Sequence, residues 1–289
     1  MKKILFEGCG TAIATPFNEN GVNLEEFKRL VEDQIENNVD ALIVCGTTGE
    51  SATMTEEERL QTIECAVKTS NGRIPIIAGT GANNTKAVIE MNKKVEQLGV
   101  DGVLIVTPYY NKTTQEGLLA HYKVIAENTK LPIILYNVPS RTGVNIKPET
   151  CLKLSKISNI VAIKEASGDL SQIAEIINLC GEELSIYSGN DDQVIPILSL
   201  GGKGVISVLS NIKPKYTHDM CCNYFNGNVK EAARMQIEAI PLIKALFSEV
   251  NPIPVKEALN MVGYDFGIPR LPLIEMSEEG KKKLSNLIG

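Results

Sequence analysis

Eight short apolar runs between residues 11 and 208 restrict the fold of this chain more than any other feature. They occupy residues 11–15, 41–45, 74–78, 102–106, 132–136, 160–164, 184–188 and 204–208, at intervals of roughly 20–35 residues. Inside each run apolar residues follow one another instead of alternating with polar ones. A strand with one wet face alternates; a continuous run is covered on both faces, as parallel strands wrapped by helices are.

Between the runs lie amphipathic helical patterns with start signals. Asn23 stands before residues 24–37 and puts Glu25 and Glu26 in the first turn, where the helix dipole favours acids. Thr55 with Glu58 makes a capping-box pair, and Asn84, Thr114, Pro148, Asp169 and Asp192 stand near later helix starts. Eight β–α units predict an α/β fold of the closed (β/α)8 TIM-barrel type. An open doubly wound sheet is the alternative, but no G-x-G-x-x-G follows the first run. Residues 228–246, 254–261 and 277–287 read as further helices, more than one closing helix needs. The expected organisation is a barrel over residues 1–224 and a helical extension over 225–289, packed on the barrel with no linker between them.

Bulk properties exclude several classes of function. Net charge is −6 over 289 residues and the basic residues are scattered, so neither nucleic acid nor an anionic membrane is an expected partner. No apolar run approaches the roughly 20 residues of a membrane helix. No signal-peptide pattern opens the sequence. The seven cysteines are odd in number and irregularly spaced, with no C-x-x-C, and read as buried thiols in a reducing, cytoplasmic setting. Two distant histidines leave no metal-site pattern, so no metal is expected. Acid–base work then falls to Tyr, Lys, Asp, Glu or substrate groups.

In a barrel of this kind chemistry sits where strands hand over to the following loops. Lys164 ends the apolar run Ile160-Val161-Ala162-Ile163, and a cation at the end of a buried strand needs a reason. Desolvation favours the neutral amine, which Schiff-base chemistry on a ketone requires. The alternative is a lysine that snorkels, or that pairs with a carboxylate such as Glu165. Other run ends carry Gly46-Thr47-Thr48-Gly49-Glu50-Ser51-Ala52, Thr107-Pro108-Tyr109-Tyr110, Tyr136-Asn137-Val138-Pro139-Ser140-Arg141-Thr142-Gly143 and Ser188-Gly189-Asn190. Taken singly, each has an ordinary reading as turn, core or surface. Gly201-Gly202-Lys203-Gly204 lacks the phosphate-loop pattern. Hydroxyls, one Arg and one Lys together are harder to explain as packing.

The runs Gly46-Thr47-Thr48-Gly49-Glu50, Tyr136 to Gly143 and Lys164-Glu165-Ala166, with Asn251-Pro252-Ile253-Pro254-Val255-Lys256, resemble the dihydrodipicolinate synthase family. That family lies in the pyruvate-dependent class I aldolase, or N-acetylneuraminate lyase, superfamily. The resemblance runs nearly end to end. It implies condensation of pyruvate with L-aspartate-4-semialdehyde through an imine on Lys164, without a cofactor. It also implies a proton relay of Tyr136, Thr48 and Tyr110, the last supplied by a neighbouring subunit. Arg141 would clamp the semialdehyde carboxylate, Thr47 and Thr48 would hold that of pyruvate, and Gly189 and Ile206 would line the site. A homo-oligomer follows, a dimer of dimers being usual in the family. Tyr109 and Tyr110, if extended, point to opposite sides, one serving each subunit.

The family's lysine-inhibition site corresponds to Ser51, Ala52, Asn83 and Tyr109. Glu56 and Arg59 stand where inhibited members often carry other ligands, and Ala87 replaces the expected acid. Lysine feedback is therefore expected to be weak or absent. Two other functions fit less well: a sibling aldolase acting on a sugar acid, which would not need Arg141, and a non-catalytic sensor, which would not keep the Lys–Tyr–Thr–Tyr set.

Overall fold

The computed structural model describes residues 2–288. The barrel strands are β1 Gly8–Ala12, β4 Ala41–Val44, β5 Ile76–Gly79, β6 Gly102–Val106, β7 Ile133–Asn137, β8 Ile160–Glu165, β9 Ser185–Ser188 and β10 Gly204–Ser207. They close in the order β1-β10-β9-β8-β7-β6-β5-β4. A two-stranded antiparallel hairpin, β2 Phe17–Asn18 with β3 Gly21–Val22, follows β1 and was not foreseen from the sequence. The fold is the expected TIM barrel with helices around it and more helices at the C-terminal end.

The helices are α1 Leu24–Glu36, α2 Glu56–Ser70, α3 Thr85–Leu98, α4 Gln115–Glu127, α5 Pro139–Thr142 and α6 Pro148–Leu154. They continue with α7 Leu170–Cys180, α8 Val194–Ser199, α9 Pro214–Phe225, α10 Val229–Leu246, α11 Ile253–Met261 and α12 Glu278–Ile288. By contact density the chain divides into two units. The first comprises the segment up to Glu7 and Ile77–Ile206; the second comprises Gly8–Ile76 and the chain from Ser207 onward.

In the first unit β6, β7 and β8 are buried along almost their whole length, as their continuous apolar sequences require. Register across β7 and β8 aligns Tyr136 with Lys164 and Asn137 with Glu165. Helices α3, α4 and α7 open on Asn84, Thr114 and Asp169, whose side chains accept from backbone N–H groups of the first turn.

In the second unit β1 pairs with β4 in parallel. The first strand lies three residues earlier than the apolar run suggests. Ile13 N still donates to Ile43 O at 3.1 Å, but beyond it side chains take over: Ala14 N donates to Asn211 Oδ1 at 2.9 Å and the Thr15 hydroxyl donates to Gly49 O at 2.9 Å. Pro16 then has no N–H to offer a ladder. Helix α2 carries the expected capping box, in which Glu58 N donates to Thr55 Oγ1 and Thr55 N to Glu58 Oε2.

None of the seven cysteines is joined in a disulfide, and five of them are buried. Among the described residues no helix is long and apolar enough to cross a membrane. Among the described residues no group of three or more His, Cys, Asp or Glu is arranged to hold a metal.

Candidate active site

In the first unit the site is built on the ends of β7 and β8. Successive strand residues face opposite sides, so Lys164 and Glu165 are directed apart. Both are buried, at 5% and 0% exposure. The Glu165 carboxylate is fully engaged with neutral donors. Asn137 Nδ2 reaches its two oxygens at 3.1 and 3.0 Å, Ser167 N donates at 2.7 Å and Gln172 Nε2 at 3.3 Å. Asn145 ties this set together, accepting from Asn137 at 2.8 Å and donating to Gln172 at 2.7 Å. Burial pushes the Glu165 carboxyl up from its ordinary value, while these donors pull it down.

Glu165 is thus not the counterion of Lys164. The lysine makes no ion pair among the described residues, and its Nζ lies 4.5 Å from the centroid of the Tyr136 ring. Tyr136 is itself buried at 7% exposure. Gly189 directly follows β9, and its N–H donates to Glu165 O at 2.7 Å. A Cβ there would meet the Ala166 Cβ at 2.6 Å, so this close approach admits only glycine. Ile206 is buried on β10.

The loops after β6 and β7 carry the exposed members of the set. Arg141 lies in the single turn α5, which Pro139 opens and Gly143 closes in the left-handed region. Tyr109 is 40% exposed and Tyr110 92%. Asn83 Nδ2 donates to Tyr109 O at 3.2 Å, and Asn111 Nδ2 donates to Asn83 O at 3.0 Å. The extended conformation expected for the Tyr pair does not hold: Tyr110 has φ +69°, left-handed backbone that a bulky residue enters at a cost of about 1–2 kcal/mol. Its ring therefore leaves at an angle no strand would give. Two strand-end hydroxyls to which the sequence assigns no role, Thr80 after β5 and Thr107 after β6, are buried with no hydrogen-bond partner among the described residues.

In the second unit Thr47 and Thr48 follow β4 in a tight turn flanked by Cys45 at φ +57° and Glu50 at φ +53°. Glu50 N donates to Thr47 O at 3.1 Å. Thr48 is 2% exposed, and its hydroxyl oxygen accepts from Asn251 Nδ2 at 3.0 Å. Glu50 pairs with Lys256 Nζ at 2.8 Å, both side chains 1% exposed, and its other oxygen accepts from Arg270 N at 2.9 Å. Ser51 and Ala52 open the 3-10 turn Ser51–Thr53 that follows. Burial pushes the Cys45 thiol up to about 12, so it stays protonated.

The sequence matches the model of the dihydrodipicolinate synthetase family over residues 5–289. The chain belongs to the dihydrodipicolinate synthetase family. A 4-hydroxy-tetrahydrodipicolinate synthase of Clostridium tetani is 56% identical over 287 residues, covering 98% of each chain. That of Clostridium novyi is 54% identical over 284 residues, covering 98% of this chain and 96% of its own. The crystal structure of dihydrodipicolinate synthase from Thermotoga maritima superposes with a TM-score of 0.97 at 47% identity, covering 99% of this chain and 98% of that one.

Within this family member, then, the structure pairs Tyr136 with Lys164 across adjacent strands, sets Gly189 directly after β9 and places Thr47 and Thr48 in the turn that follows β4. Sequence reading missed the amide network behind Glu165 and the grip of Asn251 and Lys256 on the Thr48 loop. The run Asn251 to Lys256 was visible as part of a resemblance. Nothing in its local pattern says that it reaches back about 200 residues.

Proposed function

We propose that this chain condenses pyruvate with L-aspartate-4-semialdehyde, the reaction of a 4-hydroxy-tetrahydrodipicolinate synthase in diaminopimelate and lysine biosynthesis. The observation that carries the reading is the buried Lys164, on a rigid strand end beside Tyr136, with the neighbouring carboxylate committed elsewhere. Identity above 50% over nearly the whole chain to relatives of that name supports it.

The Lys164 amine adds to the ketone carbon of pyruvate, water leaves and an imine forms. The protonated imine is an electron sink, so a methyl proton departs and an enamine results. The enamine carbon bonds to the aldehyde carbon of the semialdehyde. The semialdehyde's own amine then displaces Lys164 at the imine carbon, which closes the ring and frees the enzyme. No external cofactor enters this balance.

Tyr136, Thr48 and Tyr110 are assigned to proton transfer, since a hydroxyl can accept and donate in one step. Arg141 is assigned to the semialdehyde carboxylate, which its planar fork can bind in two bonds. Thr47 and Thr48 hold the pyruvate carboxylate, with Gly189 and Ile206 lining the site. We assign the barrel to residues 1–224 and the helical extension to 225–289. Tyr110, almost wholly exposed and in constrained backbone, suits a side chain delivered to a neighbouring subunit; we infer a homo-oligomer built as a dimer of dimers and working in the cytoplasm.

At the lysine-site positions Ser51, Ala52, Asn83 and Tyr109, Ala87 supplies no anion for an ammonium. Lysine inhibition is accordingly weak or absent, and half-inhibition below about a millimolar would contradict this, since that affinity is worth about 4 kcal/mol. The function is tested by assaying condensation of the two substrates beside cleavage of N-acetylneuraminate and ketodeoxygluconate. Condensation alone supports the reading; cleavage of a sugar acid without condensation overturns it.

A further inference from the structure

We propose that Asn251 is a positioning residue that sets the direction in which the Thr48 hydroxyl passes a proton. The proposal rests on the relay reading above and deepens it. A hydroxyl has one O–H and two lone pairs. Asn251 Nδ2 donates to Thr48 Oγ1 at 3.0 Å, in a region where both residues are buried, and so occupies one lone pair. One lone pair and the O–H remain. A proton that arrives at the free lone pair forms a new O–H bond while the old O–H gives its proton to the next acceptor. Thr48 ends as it began, and the hydroxyl hydrogen cannot rotate into the position the amide fills.

The same short segment grips the loop a second time. Asn251 precedes α11, where Lys256 N donates to Pro252 O at 3.1 Å. Lys256, one turn into that helix, is fully buried and donates to Glu50 Oε1 at 2.8 Å and Ile268 O at 3.3 Å. Phe17 lies under its Nζ, 4.3 Å from the ring centroid. Glu50 is two residues beyond Thr48. One segment therefore holds the loop at Thr48 through a neutral donor and at Glu50 through an ion pair. The ion pair fixes where the loop lies, and the amide fixes how the hydroxyl is turned.

The test compares wild type with Asn251→Ala, Asn251→Asp and Asn251→Gln, using melting curves, steady-state kinetics in water and heavy water, and borohydride trapping of pyruvate on Lys164. In Asn251→Ala, kcat is expected to fall roughly 10–100-fold, a part of what a positioned acid–base group contributes, with the pyruvate KM within about threefold. The solvent isotope effect on kcat should rise, because proton transfer becomes slow. Asn251→Asp replaces the donor by an acceptor of the same shape and should be at least as impaired. Asn251→Gln keeps the donor on a longer stem and should recover part of the loss. A folded Asn251→Ala with unchanged kcat, a fall in kcat with an unchanged isotope effect, or a fully active Asn251→Asp each overturns the proposal. Wild type that traps no pyruvate overturns the functional reading instead.

Discussion

Lys164 and Lys256 are both buried, at 5% and 0% exposure, and the molecule treats them in opposite ways. Lys256 has a carboxylate at 2.8 Å, a carbonyl at 3.3 Å and an aromatic ring beneath it. Burial pulls its ammonium down and Glu50 pulls it back up. Lys164 has the Tyr136 ring and, among the described residues, no anion, although Glu165 is its neighbour in sequence. The difference lies in what the adjacent carboxylate is given to do. Glu50 is aimed at a lysine, whereas Glu165 is occupied by three donors of Asn137, Ser167 and Gln172. A buried lysine with its partner is part of the scaffold; one whose partner has been taken away is available for chemistry.

The comparison can be broken by exchanging the outcomes. Lys164→Ala should abolish turnover, by on the order of 10³-fold or more in kcat, with the melting temperature unchanged or raised, because no buried partner is orphaned. Lys256→Met should do the reverse. It leaves Glu50 buried and unpaired, a loss of about 3–5 kcal/mol of stability read by denaturant unfolding, and Lys256→Met with Glu50→Gln should regain part of it. Equal stability losses in the two lysine variants would erase the distinction.

Arg141 sharpens the contrast between binding and covalent chemistry. Arg141→Ala should spare pyruvate trapping while the KM for the semialdehyde rises roughly 10–100-fold, the worth of charged hydrogen bonds. Equal loss of both activities would make Arg141 structural.

His121 supplies the smallest test. It is another buried base, with no acid partner among the described residues; its Nδ1 lies 2.9 Å from the Thr85 hydroxyl, and burial lowers its pKa to about 4. The folded value lies below the unfolded one, so the unfolded chain takes up the proton first. Stability is therefore lost as pH falls from about 6.5 towards 4, by about 1 kcal/mol between pH 7 and 5.5. His121→Gln should flatten that decline in a series of melts; an identical decline would remove His121 from the comparison.

Lys164 with Tyr136, and the contacts that hold the Thr48 loop, differed in how far the sequence revealed them. Lys164 and Tyr136 were legible because a strand is a local pattern: continuous apolar residues followed by a polar one mark its end, and β–α repetition places that end. The supports were not legible, because they join residues far apart. Asn251 to Thr48, Lys256 to Glu50 and Arg270 to Glu58 each span about 200 residues, and an isolated Lys in a helix reads as a surface residue. The shift of β1 and the left-handed Tyr110 were hidden for a related reason. Both depend on which side chain or turn replaces a ladder bond, and apolar periodicity carries no record of that.

Lys164, kept apart from its neighbouring acid, is expected to capture a keto acid covalently. Treating the protein with pyruvate and borohydride, then mapping the mass increase by peptide analysis, measures this directly. A reduced pyruvate adduct is expected on the peptide containing Lys164, lost in Lys164→Ala and retained in Lys256→Met. An unmodified Lys164 peptide in folded wild-type protein, or an adduct on another lysine, would contradict it.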